Sequence, residues 1–261
     1  MNEISTDRSD GILRIELNRP SRKNALTSAM YVALANAFDD AAKDESISVV
    51  LWHGAGDCFC AGNDVEDFLR NPPGSGESPQ ARLMQALVAF DKPLIAAVHG
   101  AAIGGGTTML THCDLVYAGE SARFQTPFID LALVPEFGSS YSIPARAGHV
   151  RAAEIILLGL PFDATRAMEL GFVNHVVPDD KLLATATEAA RKLAAKPGVA
   201  LRAAKRLMKQ PFLERVRAAI QAENTEFSAR VRSADAKEAF AAFLEKRPPN
   251  FNRASRSGAA E

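Results

Sequence analysis

Gly104, Gly105 and Gly106 stand in a row behind the apolar run Leu94–Val98 and the small residues Ala101 and Ala102, and they lead into Thr107–Thr111. Glycine lets a backbone take a strained turn or come close to a ligand. The spacing predicts a buried strand over Leu94–Val98, a bare turn of glycine and alanine, and a short apolar helix opened by the glycines. The first N–H groups of a helix have no partner within it and lie at its positive end. Such a turn suits an atom that is, or becomes, negative: a phosphate or a transient oxyanion. The usual phosphate motifs fail on spacing. A dinucleotide fingerprint needs Gly-x-Gly-x-x-Gly directly after a strand, whereas the order here is Gly100-x-x-x-Gly104-Gly105-Gly106. A P-loop ends in Gly-Lys-Ser/Thr, and Gly106 is followed by Thr107. The nucleophile elbow Gly-x-Ser-x-Gly is missing too, because the run from Gly138 to Ser142 lacks its second glycine.

Other reactive side chains fall short of a constellation. Cys58 and Cys60 have the wrong spacing for a zinc knuckle, and no clustered histidines complete one. His99 and His112 are expected as core or turn residues, and Asp64 as the acid at a helix start. Glu136 differs: it follows Pro135 inside the apolar stretch Leu131–Phe137.

The elements that must position these residues read as alternating strands and helices. Gly11–Leu17 alternates and predicts a half-buried strand. Thr27 predicts the cap of a helix through Lys43, with Met30, Leu34 and Phe38 on its apolar side. Ser48–His53 and Cys113–Tyr117 read as buried strands, Val65–Arg70 as a short acidic helix, and Gln80–Phe90 as a longer one. Between those helices, Asn71–Pro79 reads as a surface loop. From Gly148 onward helical periodicity dominates, broken by a strand within Gly171–Val177. The basic residues between Arg191 and Lys209 are expected, for the most part, on a solvated helix face. Repeated strand-then-helix units predict an α/β core followed by a helical appendage that covers a site or joins subunits.

A chain of 261 residues is long enough for a sizeable core. A formal net charge of −1 gives no global attraction to nucleic acid or to a membrane surface. Three cysteines in a chain this long do not make a disulfide framework. The first residues carry no basic-then-apolar signal and the last are not a peroxisomal address, so a cytoplasmic location is expected.

Several segments together resemble the enoyl-CoA hydratase/isomerase, or crotonase, family: Phe59–Asp64, Lys92–Gly106, Cys113–Ala118, Ala167–Asn174 and the closing Phe243–Pro248. The resemblance runs over nearly the whole chain with its motifs in order. It implies a β-β-α spiral core, expected over 1–195, and a helical C-terminal region over 196–261 that makes a homotrimer or a dimer of trimers. It also implies an acyl-CoA thioester as substrate, with no separate cofactor, since coenzyme A is part of the substrate. The family's oxyanion hole is built from two backbone N–H groups, which map here onto Asn63 and Gly105. Side chains at such positions are free to vary, since only the main chain donates.

The resemblance also marks a departure. Hydratases of the family use two glutamates, and the matching positions hold Thr108 and Phe128. Neither side chain takes a proton at neutral pH, so both are expected as walls of the acyl pocket. Glu136 instead stands where the Δ3,Δ2-enoyl-CoA isomerase branch, including its peroxisomal type, has a single catalytic acid. Apolar surroundings raise a carboxyl's pKa, which suits a proton carrier. One such group suffices for a 1,3-shift, taking a proton from C2 and returning it at C4. Contacts with coenzyme A are expected from Lys23, Ala25 and Leu26, and from Lys246 and Arg247 in the closing motif. A hydratase, another acyl-CoA reaction, or acyl-CoA binding without turnover remain the competing readings.

Overall fold

The computed structural model describes residues 2–71 and 78–251. Most of the loop expected between Asn71 and Pro79 lies outside the described residues. The chain opens with the hairpin β1 (Ile4–Ser9) and β2 (Ile12–Leu17), and then α1 (Ser28–Lys43) carries it to β3 (Val49–Gly54). Thr27 caps α1 by accepting the N–H of Met30. Next come α2 (Val65–Arg70), α3 (Pro79–Ala89) and β4 (Leu94–Val98). The glycine turn follows, and it contains a short strand of its own, β5 (Ala101–Ile103), before α4 (Gly105–Thr108). After β6 (Leu115–Gly119) and β7 (Arg123–Gln125) the chain turns helical with α5 (Ser139–Ala147) and α6 (His149–Leu157). It continues through β8 (Phe162–Asp163), α7 (Ala164–Glu169), β9 (His175–Val177), α8 (Asp179–Ala194), the long α9 (Gly198–Arg230) and α10 (Ala234–Glu245). No helix among the described residues is long and apolar enough to cross a membrane.

Two sheets result. The larger has six strands in the order β1-β2-β3-β4-β6-β9, parallel throughout except for the opening hairpin. A parallel sheet must be covered on both faces, and its strands are apolar on both sides accordingly. Val50 and Trp52 point into the main core with α1 and α3, while Val49 and Leu51 point to the opposite face, under Leu182, Ala186 and Ala190 of α8. The smaller sheet has the order β5-β7-β8. The bare turn expected after β4 is therefore partly a strand: Ala101–Ile103 pairs in parallel with Arg123–Gln125. That pairing holds the glycine turn by its backbone, a long-range constraint that residue types alone do not disclose.

Along the basic stretch, Arg191, Lys192, Lys196 and Arg206 are exposed as expected, and the exceptions lie on α9. Lys205 is buried, and its Nζ lies 2.7 Å from Asp114 Oδ2 and 2.7 Å from the carbonyl of Lys92. Lys209 donates to the carbonyl of Val88 at the end of α3, and Arg202 and Arg206 both reach Asp91. Lys205 and Lys209 pin α9 to the core, while Arg202 and Arg206 reach Asp91 from side chains that stay solvent-exposed. Long stems packed on apolar surface with the charge at a helix end or a carboxylate are how such residues become structural.

Candidate active site

Two backbone segments are sewn side by side at one end of the sheets. Cys60 bridges Ala102 of β5, and Leu26 bridges Asn63, so the loop Cys60–Asp64 is held between the segment after Pro20 and the glycine turn. Leu26 donates to Gly62 O at 2.8 Å and Asp64 donates to Leu26 O at 2.9 Å. Among the described residues, nothing accepts the N–H of Asn63 or of Gly105. Gly104, at φ 55°, makes the turn that exposes the second of these. Asp64 is spent on structure: it caps α2 by accepting the N–H of Asp67 and pairs with Arg19 at 2.7 Å.

Glu136 stands beside Gly105 and lines the same cavity as Asn63. A methyl group built on Gly105 would lie 3.1 Å from Glu136 Oε1 and 3.4 Å from the Tyr31 hydroxyl. Only about 5% of Glu136 is exposed, and no hydrogen-bond partner for its carboxyl occurs among the described residues. Burial, and secondarily the negative charge of Glu223, push its pKa up from 4.5 to about 8. Its carboxyl borders two cavities. The smaller, about 120 Å³, is lined by Asn63, Gly105, Phe128, Glu136, Phe227 and Phe240 among others. The larger, about 740 Å³, opens between α3 and α9 past Gln80, Met84 and Asn224. A third apolar cluster, with Phe68, Phe128, Leu133, Phe227 and Phe240, roofs the smaller cavity using α2, α9 and α10.

The remaining expected residues divide. Phe128 lies on the wall of the small cavity. Thr108 does not: it is fully buried behind the turn, and its hydroxyl bends back onto Gly104 O at 3.3 Å. A threonine in a helical turn bonds the carbonyl four residues back, which removes it from the pocket wall. Lys23 is exposed in a left-handed turn, while Ala25 and Leu26 run beside the loop Cys60–Asp64. Arg247 is not available within this chain, because Glu238 and Glu245 hold its guanidinium at 2.6 and 2.5 Å. Lys246 is the left-handed cap of α10. His99 and His112 bond main-chain carbonyls, of Gly56 and Phe137, as core or turn histidines do. Among the described residues no group of His, Cys, Asp and Glu side chains is placed to hold a metal ion.

Tyr31 and Glu223 escaped the sequence reading. The Tyr31 hydroxyl donates to Asn63 Oδ1 at 2.7 Å, close to Glu136. Burial first, and the neighbouring Glu136 charge next, raise its pKa well above the ordinary value, so it stays protonated. Tyr31 sits on the apolar side of α1 beside Met30, which made it look like one more core residue.

A model of the family described as "Enoyl-CoA hydratase/isomerase" matches residues 7–254. The chain belongs to the enoyl-CoA hydratase/isomerase family. It is 35% identical to the 2,3-dehydroadipyl-CoA hydratase of Escherichia coli, covering 96% of this chain and 99% of that one. To the rat protein named enoyl-CoA delta isomerase 2 it is 33% identical over 91% of its own length and 62% of the relative's. Among solved structures, Pseudomonas aeruginosa OdaA superposes with a TM-score of 0.91 at 45% identity, covering 94% of this chain and 99% of OdaA. The fold is thus the crotonase type with a helical C-terminal region. Members named for hydration and for isomerisation resemble this chain about equally, so overall similarity does not choose between the two reactions.

Proposed function

We propose that this family member is an acyl-CoA isomerase that shifts a double bond from C3 to C2 of an enoyl thioester. The observation that carries the reading is that Glu136 is a buried carboxyl with no hydrogen-bond partner among the described residues, beside Gly105 on a cavity that Phe128 and Phe227 also line. The thioester oxygen would lie between the N–H groups of Asn63 and Gly105. Charge building on that oxygen makes C2 acidic, and donors already aimed at it need no reorganisation. Ionised Glu136 takes the C2 proton, the dienolate is held by the two N–H groups, and Glu136 returns the proton at C4. Apolar walls keep water from intercepting the dienolate. The acyl tail would run past Glu136 into the 740 Å³ cavity. The coenzyme A end would pass Lys23, Ala25 and Leu26, where backbone already meets the oxyanion loop.

Hydration needs a second group to place water, and the positions matched to the family's hydratase acids hold Thr108, turned inward, and Phe128. The discriminating experiment supplies 2-enoyl and 3-enoyl thioesters and identifies the products. Interconversion of the two alkenes without a 3-hydroxy product supports isomerisation, while a 3-hydroxyacyl product as the main outcome refutes it. Assembly as a trimer or dimer of trimers is proposed on the same footing. Apolar side chains left exposed on α6 and α9, including Val150, Leu157, Leu207, Met208 and Phe212, would be covered by it.

A further inference from the structure

Glu223 lies on α9, 85 residues beyond the loop that carries the base. Its Oε2 accepts the N–H of Gly138 and its Oε1 accepts that of Ser140, both at 2.7 Å. These N–H groups open α5, which has no side-chain cap from its own neighbouring residues. The turn between Glu136 and α5 is unusual. Phe137 has φ 59° and Gly138 has φ 72°, so consecutive residues are left-handed and one of them is a bulky non-glycine. Such a conformation persists only where its surroundings over-determine it. Here His112 Nε2 lies 2.8 Å from Phe137 O on one side, and Glu223 grips the following N–H groups on the other.

We propose that Glu223 is a positioning residue for the base: its carboxylate bridges Gly138 and Ser140, locks the left-handed turn, and fixes where the Glu136 carboxyl stands against Gly105. This inference rests on Glu136 being the proton carrier of the proposed reaction. The clamp has an electrostatic side as well. After burial, the Glu223 charge is what pushes the Glu136 pKa upward. The other titratable neighbours are neutral or paired. Tyr31 of α1 and Cys60 of the oxyanion loop have raised values, the thiol up to about 12, and keep their protons. His112, behind Phe137, is lowered to about 4 and is uncharged. Arg217 of α9 borders the larger cavity and is paired with Glu214.

The test compares wild type, Glu223→Gln, Glu223→Asp and Glu136→Gln in isomerisation of a 3-enoyl thioester across a pH series, with thermal unfolding alongside. An amide has one accepting oxygen where the carboxylate uses two, and it carries no charge. Glu223→Gln should therefore lose on the order of 10- to 100-fold in kcat, the scale of a roughly 1 Å misplacement, with little change in KM. The rising limb of its pH profile should also move to lower pH. Glu223→Asp keeps the charge but is one methylene short of spanning both donors, so kcat should fall while the limb stays in place. If Glu223→Gln does not fold, Glu223→Asp carries the test alone. A wild-type kcat and an unmoved limb, with only the unfolding temperature lowered, would reduce Glu223 to a structural cap and overturn the proposal. Retained turnover in Glu136→Gln is a separate outcome: it removes the base itself, and this inference with it.

Discussion

Replacing Glu136 with glutamine should stabilise the fold while removing turnover, and the stabilisation should grow with pH. In the native state burial raises this carboxyl from 4.5 to about 8, so at neutral pH it is largely protonated when folded and ionised when unfolded. The sign follows directly. A raised acid pKa means that the unfolded chain gives up a proton which the folded one retains, so stability falls as pH rises from about 4.5 towards 8. At about 1.4 kcal/mol per pKa unit, the cost is on the order of 3 kcal/mol at pH 7 and well under half of that near pH 5. Glutamine has no such titration. It still buries an unpartnered amide, which costs about 1–3 kcal/mol, but that cost does not vary with pH. The informative quantity is therefore the difference in unfolding temperature between variant and wild type, measured by scanning calorimetry at several pH values. For a chain of this size each kcal/mol moves the transition by about 2–4 °C, so the difference should widen by several degrees between about pH 5 and pH 8. A difference that stays constant over that range would refute the buried, raised carboxyl and the role built on it.

Other perturbations have equally concrete outcomes. Gly105→Ala places a methyl 3.1 Å from Glu136 Oε1, so kcat/KM should drop by about 10²-fold or more with circular dichroism unchanged. By contrast, Gly106→Ala would meet Cys60 O at 2.6 Å and should show itself as lost stability or poor folding. Asn63→Ala removes only the acceptor of the Tyr31 hydroxyl, which should lower stability by about 1–3 kcal/mol in denaturant unfolding. Turnover of that variant should stay within about tenfold of wild type, since the proposed oxyanion donor is main chain, and a larger loss would show that the side chain acts on substrate. Lys205→Met leaves Asp114 with the Leu94 N–H but without its cationic partner, and should cost on the order of 3 kcal/mol. An unchanged midpoint would show that the ion pair is dispensable.

What the sequence disclosed, and what it withheld, follows from the range of the interactions involved. Local pattern sufficed for the buried strands at Val49–Gly54 and Leu94–Val98, for the Thr27 cap, and for the proline-led loop that carries Glu136. Each is decided by residues within a turn or two. Pairing of Ala101–Ile103 with Arg123–Gln125 depends on a second sheet, and nothing in a run of small residues announces it. The cations Lys205 and Lys209 look like any basic helical face until Asp114 and the end of α3 are brought to them. Thr108 shares its position with a residue expected to face substrate, but its hydroxyl is taken by Gly104 O, a choice made by the helical turn itself. Glu223 is the clearest case. An acid on an exposed-looking helix gains meaning only when α9 lies across α5 and meets two main-chain N–H groups.

The proposed site geometry can be checked by solving the structure with an unreactive acyl-CoA analogue bound. The expected result places the thioester oxygen within hydrogen-bond distance of the N–H groups of Asn63 and Gly105. In the same complex a Glu136 oxygen should stand between C2 and C4, close enough to reach either. An analogue whose carbonyl lies away from both N–H groups, or whose C4 is out of reach of Glu136, would rule out Glu136 as the proton carrier of a 1,3-shift.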